Sequence, residues 1–199
     1  MRRDVEFIYE MGTMRRLPRM WQRLNTPDFA NHAEHAFRVF WIAMLIAERE
    51  GADSGRVAKL CMVHDVAENR TGDVDIIARQ YSEPKADMAI QDILEDTAIA
   101  DEYYELWQEY EAKETLEAKV AKDADNLDVD FELAEQAAMG NNIGEAKAEI
   151  RKYVAANKLY TDTAKELHAK MKEVGVHDWW KESKRNRRNA GDWKSSGAK

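Results

Sequence analysis

The chain has 199 residues, 44% of them hydrophobic, with nine Gly, three Pro and one Cys, and a formal charge of -8 at pH 7. That length and apolar content suit one compact core, while the acidity disfavours nucleic acid and anionic membranes unless a local cation or a metal intervenes. A lone Cys61 excludes an internal disulfide and suits a reducing cytosol.

The N-terminal "MRRDVEFIYEMGTMRR" has acidic residues where a signal peptide needs its apolar run. No window approaches the roughly 20 apolar residues of a membrane span, so a soluble cytoplasmic protein is expected. Plentiful Ala, Glu, Lys, Leu and Met, with little β-branched alternation, point to an all-α fold. From Phe29 to Glu50, Ala33, Phe37, Phe40, Trp41, Met44 and Leu45 mark a helical repeat. Val39, Ile42 and Ile46 fill the adjoining face, so its second half is expected to be buried almost all round. "EGADSGR" interrupts it, with Ser54 as the expected cap of the next helix. There Val57, Leu60, Cys61, His64 and Glu68 fall at steps of three and four on one face, and Cys61 reads as a small buried hydrophobe.

"RTGD" reads as a turn, followed by weaker amphipathic segments from Ile76 to Tyr81 and from Pro84 to Glu111. A long helix is predicted from Thr115 to Met139, stopped by Gly140, and a last one from Ile143 to Val174. Residues 1–180 are expected to form a single domain. Residues 181–199 carry seven Lys or Arg against two Asp or Glu and read as a solvated basic tail.

Four ionisable residues, His35, His64, Asp65 and Asp125, lie on or beside apolar faces of different helical segments. Burying such groups is unfavourable unless they are paired or coordinated, and a divalent cation would answer for all four. Two imidazoles and two carboxylates suit Mn, Co, Zn, Fe or Ni better than Ca, and are softer than Mg usually requires. Single His residues on apolar helices are commonly satisfied core residues. Here "HDVAENRTGD" adds Glu68 one turn beyond His64 and Asp73 after a glycine turn, so three carboxylates gather near one imidazole and would repel or hold protons without a cation. No phosphate-binding glycine loop, His-Glu-x-x-His or Cys-x-x-Cys pattern is present, which leaves kinase, metalloprotease and thiol-redox chemistry unsupported.

The ordered set "HAEH", "HDVAENRTGD" and "KDADNLD", with "RLPRMW" upstream and "ELWQEYEAKETLEAKVAKDADNLD" leading into the last Asp, resembles the HD-domain metal-dependent phosphohydrolases, in particular their 5′-deoxynucleotidase branch. The resemblance spans roughly Met14 to Asn142 and implies an all-helical bundle with one central metal and a homodimer. It assigns His35, His64, Asp65 and Asp125 as ligands, Glu68 to the attacking water, Asp73 to orienting water and sugar or assisting the leaving oxygen, and Arg16 to the phosphate. Bacterial members of the branch usually follow that Arg with Trp; Leu17 stands here, so the aromatic wall against the sugar is expected to be missing or supplied by Trp21. The implied reaction is hydrolysis of (deoxy)nucleoside 5′-monophosphates. The rivals are removal of triphosphate from a dNTP or opening of a phosphodiester on the same scaffold, and a non-catalytic nucleotide- or metal-binding helical protein. Asn31 and His32 stay open between a supporting role and exposure in a first turn. Asp123 and Asp128 flank Asp125, which is preferred for its match to "ADNLD" and its small apolar neighbours. His168 and His177 are expected at the surface.

Overall fold

The structure, a computed structural model, describes residues 1–24 and 28–181. Apart from Lys181, the expected basic tail lies outside the described residues. The described residues form helices and an isolated bridge between Pro18 and Asn31, with no strand among them. No helix among them is long and apolar enough to cross a membrane.

Three helices make the centre: α2 (His32–Glu50), α3 (Ser54–Val63) and α7 (Leu116–Ala138), which pack chiefly on one another. Around them lie α1 (Arg2–Met11), the single turn α4 (Glu68–Thr71), α5 (Ala86–Leu94), α6 (Ala100–Ala112), α8 (Ile143–Ala146), α9 (Ala148–Asn157), α10 (Asp162–Met171) and α11 (Asp178–Lys181).

Capping sets where the central helices begin. Asn31 accepts the Glu34 amide while Glu34 accepts the Asn31 amide, both at 3.0 Å, a reciprocal cap that starts α2 one residue before His32. Asp53, rather than the expected Ser54, caps α3 by accepting from Gly55 and Arg56; its carboxylate reaches two amides where a hydroxyl serves one. Thr115 caps α7. Val39, Ala43, Ile46 and Ala47 of α2, Val57 and Leu60 of α3, and Ala118, Ala121, Ala124 and Leu127 of α7 are all buried. The small residues among them suit close packing of the three helices.

Three expectations need correcting. The second half of α2 is not buried all round: Phe37, Trp41 and Leu45, one turn apart, are 68, 54 and 60% exposed, on the flank away from the core. Phe37, Phe40 and Trp41 instead join Phe7 and Met11 of α1 in an apolar groove of about 650 Å³. The helix carrying His64 does not run on to Glu68. It ends at Val63, and Val66→Val63 and Glu68→Asp65 hydrogen bonds form a tight corner before α4. The Cys61 carbonyl, which a continuing helix would offer to the Asp65 amide, is taken by the His64 ring at 2.7 Å. The final predicted helix is three shorter ones, because Thr161 caps a new start and the 158–161 turn is tied to α7 through Asp123.

Candidate metal centre

The three central elements each deliver a donor to one point. His35 lies in the first turn of α2, His64 and Asp65 occupy the corner after α3, and Asp125 sits midway along α7. His35 Nε2 lies 3.2 Å from His64 Nε2, 3.3 Å from Asp125 Oδ1 and 3.5 Å from Asp65 Oδ2, and His64 Nε2 is 3.2 Å from Asp65 Oδ2. The structure thus gathers His35, His64 and Asp125 into one cluster and sets Asp65 against both imidazoles.

The far sides of His64, His35 and Asp125 are already engaged, whereas Asp65 turns to the imidazoles the same Oδ2 that accepts from Arg19 Nη1 at 3.0 Å. His64 Nδ1 donates to the Cys61 carbonyl, and His35 Nδ1 bonds the Asp128 carboxylate, itself clamped by Arg38. Once deprotonated, the two Nε2 atoms, 3.2 Å apart, would present lone pairs to one point, an arrangement that a shared cation satisfies. Asp125 Oδ2 accepts from Lys122 Nζ at 2.6 Å and from the Tyr110 hydroxyl at 3.1 Å, leaving Oδ1 toward His35. A divalent metal fits this N/O donor set.

Electrostatics agree. Burial works against ionised Asp65 and Asp125, yet His64, His32 and Arg19 hold the first, and Lys122 and His35 the second, well below the usual carboxylate range. Burial likewise opposes a charged His64, but the Asp65 and Asp125 carboxylates push it up to about 9. Glu68 is pushed up to about 9 by burial, then by Asp65 and Asp73. Tyr110, raised by burial and Asp125, stays a phenol and a donor. Burial pushes the Cys61 thiol up to about 12, so it is an inert core group.

Beside the donors opens a cavity of about 450 Å³, within the roughly 300–1,000 Å³ of small-molecule sites. Glu68 and Asp73 line it, and Asp73 Oδ2 accepts the Met20 amide at 2.8 Å. Arg16 and Trp21 do not. Arg16 is exposed in the short 3-10 turn Met14–Arg16, and Trp21 stacks on Phe29 at 5.4 Å beside Val129 and Leu133. Two guanidiniums line the cavity, Arg19 and Arg79, and the one against the donors is Arg19, with Nη1 3.0 Å from Asp65 Oδ2 and Nε 3.7 Å from Asp73 Oδ2. The aromatic wall is Trp107 and Tyr110 of α6. The second Arg of "RLPRMW" and the aromatics of "LWQEYE" were the available signals. The 14–24 segment has no helical period to show which Arg points inward.

Of the open or rejected residues, Asn31 is the α2 cap and His32 is fully buried. Asp123 accepts from the Tyr160 and Thr161 amides, facing away from the centre, whereas Asp128 supports His35. His177 is exposed and His168 half-buried near Asp130.

The HD domain family matches residues 11–174. A protein named 5′-deoxynucleotidase HDDC2 from Bos taurus is 28% identical over 146 residues, 70% of this chain and 71% of its own. Its namesake from Xenopus laevis is 30% identical over 140 residues, 66% and 68% of the two chains. Among solved structures, a conserved hypothetical protein from Pyrococcus furiosus superposes with a TM-score of 0.69 at 26% identity, covering 85% of this chain and 99% of that one.

Proposed function

We propose that this chain, which belongs to the HD domain family, is a metal-dependent phosphohydrolase that cleaves (deoxy)nucleoside 5′-monophosphates to nucleoside and inorganic phosphate. The observation that carries the reading is the convergence of His35 Nε2, His64 Nε2, Asp65 Oδ2 and Asp125 Oδ1 within 3.2–3.5 Å contacts at the wall of a polar cavity. The names of the relatives supply the substrate class.

Those four side chains would hold the divalent metal, with Mn, Co, Zn, Fe or Ni suited to the imidazoles better than Mg. When bound, the metal supplies charge neutralisation for the phosphoryl group and makes water easier to deprotonate. Phosphoryl transfer is otherwise a matter of positioning and electrostatics. Arg19, in place of Arg16, would take a phosphate oxygen. Glu68 would accept the proton of the attacking water at a carboxylate oxygen, and added positive charge among the carboxylates favours the ionised form that this needs. Asp73, fixed by the Met20 amide, would orient the water, and the proton that Glu68 takes up would pass by way of Asp73 to the leaving 5′-oxygen. The P–O ester bond breaks, a P–O bond to water oxygen forms, and the nucleoside leaves with its hydroxyl. Trp107 and Tyr110, rather than Trp21, would contact the nucleoside. The exposed Phe37, Trp41 and Leu45 stripe supports a homodimer, and a single cysteine left as a free thiol suits a reducing cytoplasm.

The test is phosphate release from a panel of dNMPs, NMPs and dNTPs, using EDTA-stripped protein with Mn, Co, Zn or Mg restored and Asp65→Ala alongside. Metal-dependent release from monophosphates, lost in the variant, is expected. Inorganic triphosphate from dNTPs with no release from any monophosphate would overturn the reading in favour of triphosphohydrolysis.

A further inference from the structure

We propose that His32 is a positioning residue that fastens the Glu68 carboxyl to the Asp65 side of the metal centre. The inference rests on the proposed role of Glu68 in handling the attacking water.

His32 is the first residue of α2 and is 0% exposed. Its amide donates to the Leu17 carbonyl at 3.2 Å, which fixes the backbone from which the ring projects. The ring lies between two carboxylates: Nδ1 is 3.4 Å from Asp65 Oδ2, while Nε2 is 3.3 Å from Glu68 Oε2 and 3.8 Å from Asp73 Oδ2. Neither ring nitrogen nor Glu68 Oε2 makes an aligned hydrogen bond to any described residue, although all three are buried. Buried polar atoms left in that state are unfavourable, and such groups in native proteins usually mark a function.

The other side of the ring faces Ala36, Phe40, Val63 and Val66 of the apolar groove, which offer no rival polar partner. Glu68 opens a helix of one turn, and among the described residues its buried Oε2 has the His32 Nε2 within 3.3 Å and no aligned hydrogen bond. The 3.3 and 3.4 Å contacts are short enough but misaligned, and a small turn of the ring gives two hydrogen bonds through it. With the Glu68 carboxyl protonated, a neutral imidazole can give Nδ1–H to Asp65 and accept from Glu68 at Nε2, and with Glu68 ionised an imidazolium donates to both. Either form holds the Glu68 carboxyl at a fixed place relative to Asp65. Without the ring, Glu68 would keep its chemistry and lose its position.

The test uses the full chain loaded with zinc, in which the His32 ring nitrogens are read by two-bond 1H–15N spectra in the wild type and in Glu68→Gln. The Nε2 resonance is expected to shift on that substitution. In kinetics, His32→Val should lower kcat about 10- to 100-fold, in the range found for residues that support metal sites, with KM and metal content unchanged. His32→Gln should recover part of the loss. On a Glu68→Gln background His32→Val should cost nothing further, because the two residues act as one unit. Three outcomes overturn the proposal: a His32 ring indifferent to Glu68→Gln, a full His32→Val penalty that persists on that background, or loss of metal with the imidazole. If the wild type releases no phosphate, the nucleotidase reading falls, while the 15N comparison still decides whether His32 and Glu68 are joined.

Discussion

His35, His64, Asp65 and Asp125 show how a buried cluster is read through its supports as well as its donors. Asp128 is the clearest case: it bonds His35 Nδ1 and is gripped in turn by Arg38, whose guanidinium also pairs with Glu132 and Glu135. Asp128→Asn should keep the fold and weaken metal binding about 10- to 100-fold, measured by competition with a chromophoric chelator. Arg19→Ala should lower kcat/KM for a monophosphate about 100-fold, whereas Arg16→Ala, altering an exposed side chain, should leave it unchanged. Proton linkage gives a further check. In the metal-free site His64 is raised to about 9 by Asp65 and Asp125 despite its burial, so it is protonated at neutral pH and must lose that proton to offer Nε2. Metal binding at pH 7 should therefore release protons, visible as a buffer-dependent calorimetric enthalpy. The apparent affinity should rise about tenfold per pH unit below about 9 for each proton displaced. The four donors were legible in the sequence because each is an ionisable residue on or beside an apolar stripe. Arg19, Trp21 and His32 were not, since Met14 to Leu24 runs in short 3-10 turns without a repeating face, and burial of a first-turn residue depends on what the preceding loop covers.

At the level of elements, the site depends on corners. The apolar period from Val57 through Leu60 and His64 to Glu68 reads as an unbroken helix because spacing alone is blind to a side chain that takes over a backbone acceptor, as His64 does at Cys61. Past the resulting corner, α4 ends at Gly72 with φ 72 and ψ 158, a conformation nearly restricted to glycine, and the chain returns to set Asp73 on the Met20 amide. A Cβ at Gly72 meets nothing within 4 Å, so the obstacle there is the backbone conformation and not space. Gly72→Ala should destabilise by about 1–3 kcal/mol, a fall in Tm of roughly 2–4 °C per kcal/mol for a chain of this size. It should also lower kcat beyond what a surface substitution of equal stability cost does, by releasing Asp73. Calorimetry and kinetics on the same preparation check both. The long α7 was readable end to end, with Thr115 and Gly140 at its limits, because it carries a strong period and both punctuation residues. The stretch after it was not, since few of its residues are buried and Asp123 ties down a turn that no local pattern announces.

Across the whole molecule, the all-α class followed from composition, and the central trio α2, α3 and α7 from their apolar periods. Which face of α2 turns outward was decided by the packing of α3 and α7. The candidate donors at positions 35, 64, 65 and 125 come from three elements separated by long stretches of chain, so one cation held by them would act as a removable staple across the core. A ligand that binds only the folded state stabilises it by about 2.7 kcal/mol at 100 times its Kd, and stripping the metal with EDTA should lower Tm by roughly 5–10 °C on the same scaling. Readdition should restore it in the wild type and fail in Asp65→Ala. A cell starved of the metal would then hold a chain that opens more often and meets its proteases sooner. Metal scarcity would remove the protein as well as silence it, and a pulse-chase under chelation would register the change as a shortened half-life.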